Sequence, residues 1–429
     1  MPPTRQRYRI LVMLFFSVVI NFLDRSNLSL AATDLAGDLH LDPARLGQTL
    51  SAFGFTYALL QIPGGWLVDR IRPRILFALA CSLWSVATFL QGFAGTFLVL
   101  ISLRLLLGIF EAPTYPILNR VVTTWLPDGE RARGIAAYTS GQFVGPGFLM
   151  PILALAQHQF GWHAVFFLTG ALGLTWAGCW YAFYRDPAQS TRINEAELGY
   201  IRAGGALVDT GTTRVSATKF TWADLRLVLS RQKLWGIYFG QMAVNSTLWF
   251  FLTWFPTYLV KYRHLDFINA GFLSVLPWLA AFGGIFCSGY VSDRMIQRGV
   301  SPTTARKLPI IAGLLLSTSI VGANYVDSPK LIVLFMTIAF FGNGLSSIAW
   351  IMVSTLAPKR LLGLTSGVFN FFGNLSSLLV PLIIGYLIKG DNFAPALIFV
   401  GLFTFAGAMS YIFLVGKVER VEENLLPGS

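Results

Sequence analysis

Charge is what this sequence has least of. Asp, Glu, Lys and Arg make up 12% of its 429 residues, against about 25% in an average soluble domain. That shortage, with a mean hydropathy of +0.62, excludes an ordinary water-soluble globule. Cysteine is scarce as well. Cys81, Cys179 and Cys287 are scattered through apolar runs without metal or disulfide spacing, and read as small buried side chains. The four histidines (His40, His158, His163, His264) do not cluster, so no metal site is expected. A nucleotide-binding loop, a zinc motif and a nucleophile elbow are all missing, so neither an enzyme nor a cofactor is expected. A net charge of +12 would suit nucleic acid, but the cations gather in alternate loops, which is the pattern of a membrane protein and not of a nucleic-acid binder.

What is present is apolar length. Twelve blocks are long enough to cross a bilayer, which takes about 20 mostly apolar residues. They run roughly over 9–31, 45–68, 75–93, 97–124, 132–156, 162–184, 233–260, 268–292, 306–325, 330–356, 362–388 and 393–416. Because many blocks follow the first, it reads as a spanning helix and not as a cleaved signal. Basic residues crowd the N-terminus (Arg5, Arg7, Arg9) and four connections: Arg70, Arg72, Arg74; Arg131, Arg133; Arg294, Arg298, Arg306, Lys307; Lys359, Arg360. The opposite connections hold few. Both termini are therefore expected in the cytoplasm.

One stretch breaks the rhythm. Residues 185–231 are polar and charged, and divide the chain into a bundle over 1–184 and a second over 232–429, with a cytoplasmic linker between them. Short surface helices are expected at 194–203 and 221–229.

The two halves echo each other. Gly65-Trp-Leu-Val-Asp69-Arg70 closes the second block and Gly289-Tyr-Val-Ser-Asp293-Arg294 the eighth. Arg131-Ala-Arg-Gly134 and Arg360-Leu-Leu-Gly363 open the fifth and eleventh, and Pro151 and Pro381 fall at matching depths. Internal repeats of this kind build transporters whose sites lie near the bilayer midplane. On these residues the chain resembles the major facilitator superfamily over nearly its full length. The fold implied is an all-α integral membrane protein, with twelve transmembrane helices in two pseudo-symmetric six-helix bundles. Arg72 stands where the superfamily's loop usually has glycine. Several stretches are similar to the sugar-acid branch (galactonate and glucarate carriers) of the anion:cation symporters. They are Asn21-Phe-Leu-Asp-Arg-Ser-Asn-Leu-Ser, Gln61-Ile-Pro-Gly-Gly-Trp, Trp249-Phe-Phe-Leu-Thr-Trp-Phe-Pro, Ala305-Arg-Lys-Leu-Pro-Ile and Gly367-Val-Phe-Asn-Phe-Phe-Gly-Asn.

The chemistry points to four residues. Asp24 and Arg25 sit in the middle of the first block, where a charge costs about 2.5–3.5 kcal/mol on insertion scales and so marks a function by default. Arg104 and Glu111 sit in the fourth block, seven residues apart. That places them on one helix face about 10 Å apart, too far to pair with each other, so partners are expected from the first block. Guanidinium forks suit a carboxylate. A buried acid beside them can gain and lose a proton. Protonating Asp24 or Glu111 would then free an arginine for an anion.

The resemblance implies the same division of labour. Asp24 and Glu111 match proton carriers, while Arg25 and Arg104 match residues of substrate binding and coupling. Tyr57, Gln142, Trp350 and Asn370 match substrate contacts, and Asn343 stands where sugar-acid carriers often have lysine. Asp69, Arg70, Asp293 and Arg294 are expected at a gating latch, with Arg131 or Arg133 as a basic partner for Asp69. The expectation is a monomeric, proton-coupled symporter of a sugar acid. Its alternatives are a carrier of another organic anion (aromatic or dicarboxylic) and a non-transporting sensor of such acids.

Overall fold

The computed structural model describes residues 3–208, 221–358 and 361–421, apart from a few side chains that include Asp69. Apart from loops and one isolated bridge between Lys389 and Asn392, these residues are helical. Helix α1 spans Gln6–Asp38, α2 Pro43–Leu59, α3 Gln61–Arg70, α4 Pro73–Gln91 and α5 Phe97–Glu111. Then come α6 Thr114–Trp125, α7 Asp128–Thr139, α8 Gly141–Phe160 and α9 Trp162–Phe183. The polar stretch holds α10 Glu195–Ala203 and α11 Trp222–Ser230. After it follow α12 Gln232–Thr253, α13 Phe255–Thr257, α14 Phe267–Leu273, α15 Val275–Gln297 and α16 Pro302–Ser317. The last are α17 Pro329–Leu345, α18 Ala349–Leu356, α19 Leu362–Leu387 and α20 Ala394–Phe413.

Ten of the described helices, single or continuous, are long and apolar enough to cross a membrane. The other two expected spans are helical but interrupted. The block at 45–68 is α2 and α3, broken at Leu60. The block at 233–260 is α12 followed by α13 and a π-turn over Tyr258–Tyr262. The internal repeat also shows in the backbone. His40 and His264, after the first and seventh spans, both take positive φ, 50° and 52°, a region few non-glycine residues enter.

The described chain divides into two compact units: residues 1–39 with 55–217, and 40–54 with 218–429. In the first, α4 packs along α9, and α1 lies against α7, α8 and α9. All residues from Ser17 to Ala32 of α1 are buried. A helix buried all round belongs to the interior of a bundle. Its close neighbour α8 offers Gly141, where a Cβ would come within 2.8 Å of the Phe15 carbonyl oxygen. In the second unit α12 packs on α19 and α20, and α15 on α17. The first part of α2 belongs there, with Gln48 donating to the Tyr386 hydroxyl at 2.8 Å.

The polar stretch is more than a tether at its start. Asn194 caps α10 by accepting from the Glu197 N–H at 2.9 Å. Glu197 is fully buried and turns back to α1, accepting the N–H groups of Gln6 at 2.9 Å and Arg7 at 3.2 Å. Those amides lack partners within their own helix, and a carboxylate suits them. The Arg7 guanidinium donates to Glu197 at 3.0 Å and to Glu130 at 3.0 Å. Tyr200 adds its hydroxyl to Glu130 at 2.9 Å, which pushes the Tyr200 phenol above its ordinary range. Helix α11 opens with a capping box between Thr221 and Asp224. The rest of the expected linker, 209–220, lies outside the described residues.

Candidate functional site

Adjacent residues on a helix point about 100° apart, so Asp24 and Arg25 meet different neighbours. Arg25 faces α5. Its Nε donates to Glu111 Oε2 at 2.9 Å, and both side chains are almost wholly buried. The guanidinium lies 4.5 Å from the centre of the Tyr57 ring and 4.8 Å from that of Phe22. Ring faces attract a cation, more strongly where water is excluded. The Tyr115 phenol of α6 also acts electrostatically on Arg25.

Helix α5 presents one buried stripe: Leu100, Arg104, Leu107, Gly108 and Glu111. The seven-residue spacing thus does put both charges on one face. Arg104 is fully buried and feels the charges of Glu111 and Asp24. The Asn21 side chain, one turn before Arg25 on α1, bears on Glu111.

Asp24 faces α4 and α9. Its Oδ2 accepts the indole N–H of Trp84 at 3.0 Å, and Oδ1 has no hydrogen-bond partner among the described residues. Gly173 of α9 lies close by: a Cβ there would be 3.8 Å from Asp24 Oδ2 and would overlap the Ser85 hydroxyl. The four charges expected to share partners therefore divide. Arg25 and Glu111 form an ion pair, while Asp24 rests on an aromatic N–H. Trp84 and Tyr115 were not among the residues expected from sequence. A tryptophan in an apolar helix signals itself only weakly, since its N–H needs an acceptor when buried.

The remaining candidates are spread over both units. Gln142 is half-buried in α8. In the second unit Trp350 is half exposed, with its ring edge-on to Phe369 at 4.9 Å. Asn370 accepts from the Asn374 amide at 3.1 Å. Asn343 is buried and donates to the Val244 carbonyl at 2.6 Å, tying α17 to α12. Of the latch residues, Arg70, Asp293 and Arg294 are exposed, and the Asp69 side chain lies outside the described residues. Arg131 pairs with Asp128 and donates to the carbonyls of Thr123 and Gly205, while Arg133 is exposed.

Comparison with known proteins agrees with this architecture. Residues 14–381 match the model of the Major Facilitator Superfamily. The chain belongs to that superfamily. Superfamily relatives share nearly the whole length. The chain is 49% identical to the D-galactonate transporter of Escherichia coli O6:H1, over 98% of both chains. It is 40% identical to a probable galactarate/D-glucarate transporter of Bacillus subtilis, over 97% of this chain and 94% of that one. Among solved structures it resembles a bacterial homologue of the lysosomal transporter Spinster in an inward-facing, unoccupied conformation. The TM-score is 0.74 at 17% identity, covering 95% and 97% of the two chains. It also resembles a D-xylose–proton symporter, with a TM-score of 0.73 at 13% identity, covering 96% and 98%. At such identities these two structures support the fold alone. The superfamily assignment fits a multi-pass membrane protein, and the relatives' names are those of transporters, not enzymes.

Proposed function

We propose that this chain is a symporter that imports a sugar acid with protons by alternating access across the bacterial inner membrane. The observation that carries the reading is the buried Arg25–Glu111 pair, in a chain half identical to a D-galactonate transporter. A buried ion pair gives little net stability compared with apolar packing, so its presence calls for another reason. In this reading Glu111 and Asp24 take up the protons. Neutralising Glu111 removes the counter-charge of Arg25, whose fork then accepts a substrate carboxylate. Arg104 supplies the second guanidinium. Tyr57, Gln142, Trp350 and Asn370 would hold the hydroxyls and the carbon chain. No cofactor beyond the coupling proton is required, and the monomer suffices. The crowding of basic residues in alternate connections supports a cytoplasmic side for both termini. Asp69 with Arg70 and Asp293 with Arg294 would serve as the cytoplasmic latch.

Among the described residues the buried cations are Arg7, Arg25 and Arg104, and Arg7 is engaged with Glu130 and Glu197. Arg25 and Arg104 stand with two buried acids, Asp24 and Glu111, so protonating one acid leaves a single positive charge, which suits a substrate with one carboxylate. Asn343, in place of the lysine often found in sugar-acid carriers, adds none. A hexonate such as galactonate is therefore favoured over a hexarate. The test is uptake of labelled hexonate into proteoliposomes, with and without an inward proton gradient. Accumulation that follows the gradient supports the reading. Binding without any translocation would replace it with a sensor.

A further inference from the structure

We propose that Trp84 is a positioning residue for proton coupling, its indole N–H holding Asp24 in the orientation and charge state from which it loads a proton. The proposal rests on the reading of Asp24 as a proton carrier and adds a residue to it. The geometry is specific. Asp24 and Trp84 are both fully buried and meet at 3.0 Å through Oδ2. The other carboxylate oxygen has no hydrogen-bond partner among the described residues, so a proton can sit there while Oδ2 stays anchored. Indole is a donor only and never titrates in this range. It therefore favours the carboxylate without competing for the proton, as an arginine or histidine would change the local charge. Arg25, next along α1, faces Glu111 instead.

The groups that act on Asp24 are few. Glu111 and Arg104 reach it from α5, the Cys81 thiol from α4, and α9 brings Gly173, which has no side chain to offer. Trp84 is thus the one neutral donor on the carboxylate among the described residues. Its ring is locked in turn by Phe77, edge-on at 5.7 Å. The close approach of α4 to α9 at Ser85 and Gly173 keeps it there.

The test is Trp84→Phe, which removes the N–H and keeps an aromatic ring, in proteoliposomes containing the purified full chain. Exchange of labelled galactonate against internal galactonate, which needs no net proton movement, should stay within about twofold of wild type. Gradient-driven accumulation should fall, and its pH midpoint should move up by about one unit, the effect of losing one hydrogen bond to a charged group. In an Asp24→Asn background the same change should add nothing further. An unshifted pH midpoint, or equal loss of exchange and accumulation, overturns the proposal. A second measurement does not depend on folding of Trp84→Phe. In protein labelled with 15N-tryptophan, one indole signal should move with pH in wild type and stand still in Asp24→Asn. If no indole signal distinguishes the two proteins, the proposal fails. If wild type itself shows no gradient-driven uptake, it is the symporter reading that falls.

Discussion

Arg25 and Glu111, 86 positions apart in the chain, share a hydrogen-bonded ion pair at 2.9 Å in an environment closed to water. Adjacent to it on the same helix, Asp24 forms no ion pair among the described residues and accepts from Trp84 instead. Two acids, held in such unlike ways, are suited to unlike steps of a coupled cycle.

Glu111→Gln keeps the shape of the site and removes its charge. Arg25 then behaves as if the acid were permanently protonated. Substrate exchange should persist, whereas proton-driven accumulation in proteoliposomes should fall at least about tenfold, the size of a 1.4 kcal/mol effect. Accumulation equal to wild type would exclude Glu111 as a carrier.

Arg104→Ala should abolish binding, and Arg104→Lys should restore little of it. An ammonium carries the charge but lacks the planar fork that grips a carboxylate at two points. The measurement is the thermal shift of purified protein on adding galactonate. A full shift in either variant would separate Arg104 from substrate recognition.

Glu197→Ala tests a structural claim away from the site. It removes the acceptor for two backbone N–H groups of α1 and for the Arg7 guanidinium. Leaving buried donors unpaired costs about 1–3 kcal/mol each, and more for a charged group. The thermal midpoint should drop, and amide exchange at the first turn of α1 should rise. The galactonate dissociation constant should stay unchanged, because none of these groups approaches Arg25 or Asp24.

Gly173→Ala should also destabilise, since the new methyl would overlap the Ser85 hydroxyl where α4 and α9 meet. Overpacking of this kind costs about 1–3 kcal/mol. Adding Ser85→Gly should recover most of the loss. Thermal unfolding of the single and double variants checks both statements, and the double variant being no more stable than Gly173→Ala would refute the steric account.

Much of the fold was legible in the chain itself. Apolar length is a local property, so the spans could be read directly, and the short helices expected at 194–203 and 221–229 coincide with α10 and α11. The four charges of the site stood out because a bilayer penalises them, wherever their partners lie. The grouping of residues 40–54 with the second unit was not legible. It depends on packing against α19, and neither helix carries a mark of the other in its own sequence.

The sequence by itself placed Asp24, Arg25, Arg104 and Glu111 within long apolar runs, since apolar length depends only on residue type and order. Only the tertiary structure decided that Glu111 takes Arg25, that Asp24 takes Trp84, and that Glu197 closes the end of α1. A hydrogen bond needs two groups at about 3 Å, and which helices come that close is settled by the packing of side chains far apart in the chain.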